Sequence, residues 1–109
     1  PANLLNEVIG STILVIGIGA IFDHKMIGAP EPGIGPYMVG LLIWGIGLSL
    51  GGPTGYAINP ARDLGPRLAH QLLPISGKGS SDWRYAWVPL IGPLLGAILG
   101  ALFWHFAFK

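Results

Sequence analysis

Three long apolar blocks, separated by short polar stretches, set the pattern of this chain. They run from about Leu4 to Phe22, from about Pro36 to Gly51, and from about Tyr85 to Phe108. The first holds about 19 residues, enough to cross a hydrocarbon core of roughly 30 Å as a helix. Its opening turns carry Asn6, Glu7, Ser11 and Thr12, so one of its faces is polar. Between the first two blocks, Asp23 to Gly35 is punctuated by glycine and proline and reads as a loop. In the last block, Gly92, Gly96 and Gly100 form two overlapping small-xxx-small steps, a face suited to close packing on another helix.

The stretch between the second and third blocks breaks the pattern. Gly51-Gly52-Pro53-Thr54-Gly55 is expected to end the second helix, and Asn59-Pro60 to start a new one. Asparagine is a favoured N-cap, and proline is favoured at the first helical position. The new helix, about Pro60 to Leu73, is at most about 20 Å long at 1.5 Å per residue, too short for a full crossing. A polar stretch, Pro74 to Arg84, follows it. The fold class is therefore an all-α membrane protein with three transmembrane helices and one re-entrant half-helix, the dip covering about residues 52–73.

Composition agrees with that layout. Of the 109 residues, 51% are hydrophobic and 10% charged, against about a quarter charged in soluble domains. Of the 18 glycines, 10 lie within the three apolar blocks, where glycine lets helices approach closely, and most of the 10 prolines punctuate the stretches between them. A net charge of +1 gives no footing for nucleic acid. Cysteine is absent, which removes thiolate metal sites. His24, His70 and His105 share no ligand spacing, so no metal is expected. No cofactor and no nucleophile–base pair is visible, and an enzyme is not expected. Lys25 and Lys109 on one side balance Lys78 and Arg84 on the other, so the positive-inside rule does not orient the chain. The chain starts at Pro1 without a signal-peptide layout and reads as a segment of a longer polypeptide or one half of an assembly.

The chemistry concentrates between Gly47 and Arg67. Irregular backbone inside a bilayer is tolerated only where protein buries it or where it lines a wet cavity. A short helix starting there points the positive end of its dipole at the membrane middle. As N-cap, Asn59 is expected to accept from the backbone N–H of Ala61 or Arg62, which leaves its amide NH2 free to donate. Pro60 sets a helical φ and removes an N–H without a partner. Arg62 in the first turn requires hydration or pairing, and its fixed charge stands where cations and protons would pass. Asp63 and Arg67 have the spacing of a helical ion pair.

Asn59-Pro60-Ala61-Arg62 after a glycine-rich dip, followed by a span, resembles the second half of the aquaporin superfamily across essentially the whole chain, residues 1–109. The resemblance implies one inverted repeat of a six-helix channel in which two half-helices meet. It further implies a partner half carrying the first Asn-Pro-Ala, a homotetramer, and a multi-pass location in the plasma or cytoplasmic membrane. Gly47, Tyr56 and Arg62 match the family's selectivity filter, with Tyr56 where the bacterial glycerol channel has phenylalanine. Carbonyls of Gly55, Tyr56 and Ala57 would form a ladder of acceptors. Glu7 would accept hydrogen bonds from the Gly55–Ala57 backbone as a scaffold. Asp63, Arg67, Pro89 and Leu90 match the glycerol-facilitator pattern. The implied function is passive passage of glycerol and related small neutral solutes, with some water. A water-selective pore and a non-transporting junction protein of the same fold are the alternatives.

Overall fold

The computed structural model describes residues 1–23 and 30–108. Four helices follow in order: α1 (Ala2–Phe22), α2 (Ile34–Thr54), α3 (Pro60–Leu72) and α4 (Trp87–Phe108). No strand occurs among the described residues. Helices α1, α2 and α4 are long and apolar enough to cross a membrane, with mean hydropathy 1.9, 1.6 and 1.8. The 13-residue α3 is not. His24, Lys25 and Lys109 of the sequence reading lie outside the described residues.

The helix ends depart from the expected ones for identifiable reasons. α1 starts at Ala2 rather than Leu4, its first bond being Leu5 N–H to Pro1 O at 3.0 Å. α2 begins at Ile34 because Gly33 turns the chain at φ 92°. Pro36 then falls in the first turn, where a missing N–H costs nothing. At its other end α2 runs through Gly51-Gly52-Pro53 to Thr54 instead of breaking there. Asn6 of α1 holds that last turn by donating to Leu50 O and Thr54 Oγ1, each at 2.9 Å. The break falls at Gly55, left-handed at φ 71°, whose N–H returns to Gly51 O at 2.8 Å. α3 ends one residue early, with Leu73 as its cap. α4 begins at Trp87, not Tyr85. Pro89 has no N–H to give Tyr85 O, so Val88 N–H takes that carbonyl at 2.9 Å in a tighter, three-residue turn.

α1 and α4 are held together by the glycine face of α4. A Cβ on Gly92 would sit 2.6 Å from Glu7 Cβ, and one on Gly100 would sit 2.9 Å from Thr12 O. At Gly96 it would collide with Val8 O and lie 2.7 Å from Ser11 Cβ. Contact this close brings backbone against backbone, which is how helices associate where the solvent is itself apolar. The Thr12 hydroxyl donates to Val8 O at 2.7 Å and is 3.1 Å from Gly96 O. α2 meets the other side of α1, where Leu42 covers Gly17 and Ile46 covers Gly10. Side chains pointing away from these seams, such as Leu41, Leu48, Leu95 and Phe106, are exposed and present an apolar belt.

Gly96→Ala is expected to destabilise the fold by about 1–3 kcal/mol, the range for overpacking a tight interior. A lowered thermal midpoint in detergent would register it. Leu95→Ala on the outward side should leave that midpoint nearly unchanged.

Candidate functional site

The site is built where α2 ends and α3 begins. Between them residues 55–58 take an irregular course, with φ 71° at Gly55, 41° at Tyr56 and 42° at Ile58. A β-branched residue in the left-handed region is a strained outlier, of order 1–3 kcal/mol. Ile58 is buried and packs over Gly10 of α1. The strain persists because the segment is clamped from below. Glu7, fully buried at 0% exposure, accepts from Ala57 N–H at 3.1 Å through Oε1 and from Ile58 N–H at 2.7 Å through Oε2. The Thr54 hydroxyl donates to the same Oε1. Every partner is a donor, which suits a carboxylate.

Asn59 caps α3 as its sequence position suggests. Its Oδ1 accepts from Ala61 N–H at 2.9 Å and Arg62 N–H at 3.4 Å, and Pro60 is the first helical residue. Asn59, Ala61 and Arg62 are exposed, on the open side of the half-helix. The Arg62 guanidinium folds back over the Tyr56 ring, 4.6 Å from its centroid, and Nη1 donates to Tyr56 O. Cation and ring are thus in favourable contact. Tyr56 in turn lies along α2. A Cβ on Gly47 would be 2.8 Å from Tyr56 Cζ, and one on Gly51 would be 2.8 Å from Tyr56 Cδ1. Gly47, Tyr56 and Arg62 are therefore one group, although the space over Gly47 is filled by the tyrosine ring itself. Among the described residues no hydrogen bond reaches the Gly55 or Ala57 carbonyl.

Asp63 and Arg67 form a bidentate pair, Nε to Oδ2 and Nη2 to Oδ1, both at 2.8 Å. Arg67 Nη1 also donates to the carbonyls of Ser81 and Asp82. The pair thus ties α3 to the segment leading into α4. Pro89 and Leu90 stand apart from this group, in the first turn of α4, with Pro89 fully buried. A polar recess of about 350 Å³ opens beside Arg62, lined by Asp63, Arg67, His70, Ser81 and Asp82. Arg67→Lys is expected to lower stability by about 1–2 kcal/mol, since one ammonium cannot serve two carboxylate oxygens and two carbonyls together. Faster proteolysis within residues 74–86 would report it.

Asn6, Thr54 and Lys78 stand in the sequence as a polar face, a helix break and a charge outside the apolar blocks, with no role at the site assigned to them. Lys78 Nζ donates to His70 O, Gln71 O and Leu73 O at 2.8, 2.9 and 2.7 Å, closing the C-terminal end of α3. A cation there complements the helix dipole. A lysine in a polar stretch carries no local sign of such a role. Asn6 did carry one, as an amide beside a carboxylate within an apolar block. Among the described residues no three histidine, cysteine or acidic side chains gather as a metal site.

The family model described as major intrinsic protein matches residues 2–104. The chain is 58% identical over 107 residues to a probable glycerol uptake facilitator protein of Thermotoga maritima, covering 98% of this chain and 44% of that protein. It is 59% identical over 108 residues to the glycerol uptake facilitator protein of Bacillus subtilis, covering 99% and 38%. To a D/L-lactic acid transporter of Lactiplantibacillus plantarum it is 50% identical over 106 residues, covering 96% and 42%. The chain spans about two-fifths of the length of these relatives. No solved structure gives a significant match.

Proposed function

The chain belongs to the major intrinsic protein family, and from that membership we propose that it is the C-terminal half of a passive pore for glycerol and related small neutral solutes. The observation that carries the reading is the grouping of Gly47, Tyr56 and Arg62 at the mouth of a half-helix capped by Asn59. A polyol has two kinds of surface, hydroxyls along one edge and C–H groups along the other. Arg62 and the Asn59 amide donate to hydroxyl oxygens, and the Gly55, Tyr56 and Ala57 carbonyls accept from hydroxyl hydrogens. The Tyr56 ring meets the alkyl edge. Glycine at 47 lets that ring lie back against α2, which keeps the passage wide enough for a carbon chain. Exchange of hydration bonds for bonds of similar strength lowers the entry barrier without trapping the solute. The Arg62 charge and the positive end of α3 oppose cations.

The reading requires a second half that supplies the other Asn-Pro-Ala and covers the open side of α3, and the complete channels assemble as homotetramers in the cytoplasmic membrane. Undissociated lactic acid, a neutral three-carbon hydroxy compound, falls in the same solute class. The greater length of the relatives and the names of those in Thermotoga maritima and Bacillus subtilis support this reading.

Stopped-flow swelling of proteoliposomes holding the intact channel tests it. Glycerol and water both entering is the expected result. Water alone would make the pore water-selective, and neither entering would leave a structural role for the fold.

A further inference from the structure

Asn6 and Thr54 are half-buried and lie outside the group of Gly47, Tyr56 and Arg62, yet they stand at the head of a hydrogen-bond series that ends on Arg62. Asn6 Nδ2 spends its two hydrogens on Leu50 O and Thr54 Oγ1, each at 2.9 Å. A hydroxyl has a single hydrogen. With Thr54 Oγ1 already receiving one from Asn6, its own is directed onward to Glu7 Oε1. That oxygen also takes the Ala57 N–H at 3.1 Å. The Ala57 N–H and the Tyr56 C=O belong to one peptide group. At the far side of that group, Tyr56 O accepts from Arg62 Nη1.

The series therefore runs from the Asn6 amide to the Thr54 hydroxyl, to the Glu7 carboxylate, and through peptide 56–57 to the guanidinium. Its centre is shielded from competing solvent, since Glu7 is 0% exposed. In such surroundings hydrogen bonds in series polarise one another. A negative charge behind the Ala57 N–H makes the Tyr56 carbonyl a stronger acceptor, which holds Arg62 in one place.

We propose that Asn6 and Thr54 are positioning residues for the pore, acting through Glu7 and the Tyr56 carbonyl to fix the Arg62 side chain. The inference rests on the pore reading above. Its consequence is selective. A polyol must meet Arg62 and the carbonyls together, so its passage depends on their fixed geometry. A water molecule has one oxygen and adapts to a displaced partner.

Swelling of proteoliposomes with the intact channel, scaled to the folded protein they hold, provides the test. Thr54→Val and Asn6→Leu should each lower glycerol permeability about fivefold, near 1 kcal/mol. Water permeability should stay within about a factor of two, as it does not need the fixed geometry. Thr54→Ser keeps the hydroxyl and should keep the wild-type ratio of glycerol to water. Because both residues act along one series, the double variant should match the single ones at about fivefold rather than reach about 25-fold. Should Thr54→Val not be recovered folded, Thr54→Ala carries the same expectation, since it also removes the hydroxyl and leaves a smaller side chain.

Equal loss of glycerol and water, a Thr54→Ser variant that resembles Thr54→Val, or additive effects in the double variant would overturn the relay. Wild-type vesicles that admit no glycerol would overturn the pore reading itself, before any variant is compared.

Discussion

Glu7→Leu is expected to remove both folded protein and solute flux, while Glu7→Gln keeps a measurable share of each. Leucine leaves the Thr54 hydroxyl and the N–H groups of Ala57 and Ile58 without an acceptor. Each buried, unsatisfied donor costs about 1–3 kcal/mol, so the three together reach about 3–9 kcal/mol. That is comparable to the whole stability of a typical domain. The strained φ values at Tyr56 and Ile58 would then have nothing to hold them. Glutamine retains one acceptor oxygen and turns an NH2 group toward one donor, so it forfeits about one such interaction, about 1–3 kcal/mol. The recovered fraction of monodisperse protein in detergent, with its thermal midpoint, distinguishes the two variants. Comparable recovery of both would show that the carboxylate is not what holds the loop.

The second large effect is at Gly47. A histidine there cannot keep the Tyr56 ring where it lies, because even a Cβ would sit 2.8 Å from Cζ and 3.0 Å from Cε1. The ring must swing away from α2, and Arg62 loses the face it rests on. In the proposed pore the imidazole would also take up space on the solute's side. Glycerol permeability should fall more than about tenfold, equivalent to about 1.4 kcal/mol or more. Water permeability should fall far less, since a single oxygen fits a narrower opening. Equal loss of the two would argue against a size filter at this position. Gly51→Ala should act in the same direction, because Tyr56 Cδ1 is as close to it.

Much of this arrangement was legible in the sequence because it depends on local rules. The Asn59 cap, the proline at the first helical position, the Asp63–Arg67 pair and the glycine face of α4 all follow from spacing within one helix. The link from Glu7 to the loop came from family resemblance to residues 55–57; in the structure it rests on the N–H groups of Ala57 and Ile58 and on the Thr54 hydroxyl, while the Gly55 N–H goes to Gly51 O. What could not be read depends on residues brought together from afar. Glycine and proline at 51–53 signal a helix end locally, but Asn6, more than 40 positions earlier, holds the turn closed. Glycine at 47 suggests open space, and only the positive φ at Tyr56 sends its ring into that space. The clamp by Lys78 is closer in sequence, five to eight positions from its partners, and depends on how the segment after α3 turns back over the helix end.

The partners of Glu7 lie 47, 50 and 51 residues further along the chain. At a synthesis rate of about 5–20 residues per second, they emerge from the ribosome roughly 2–10 seconds after it does. During that interval α1 has to be accepted by the insertion machinery with its acidic side chain still unmatched. Such a residue costs about 2.5–3.5 kcal/mol at the middle of an inserting helix and less near its end, and surrounding leucines and isoleucines offset it by a few tenths each. The dense run of isoleucine, leucine and valine after Ser11 offsets that cost until the hydrogen-bond partners of Glu7 arrive.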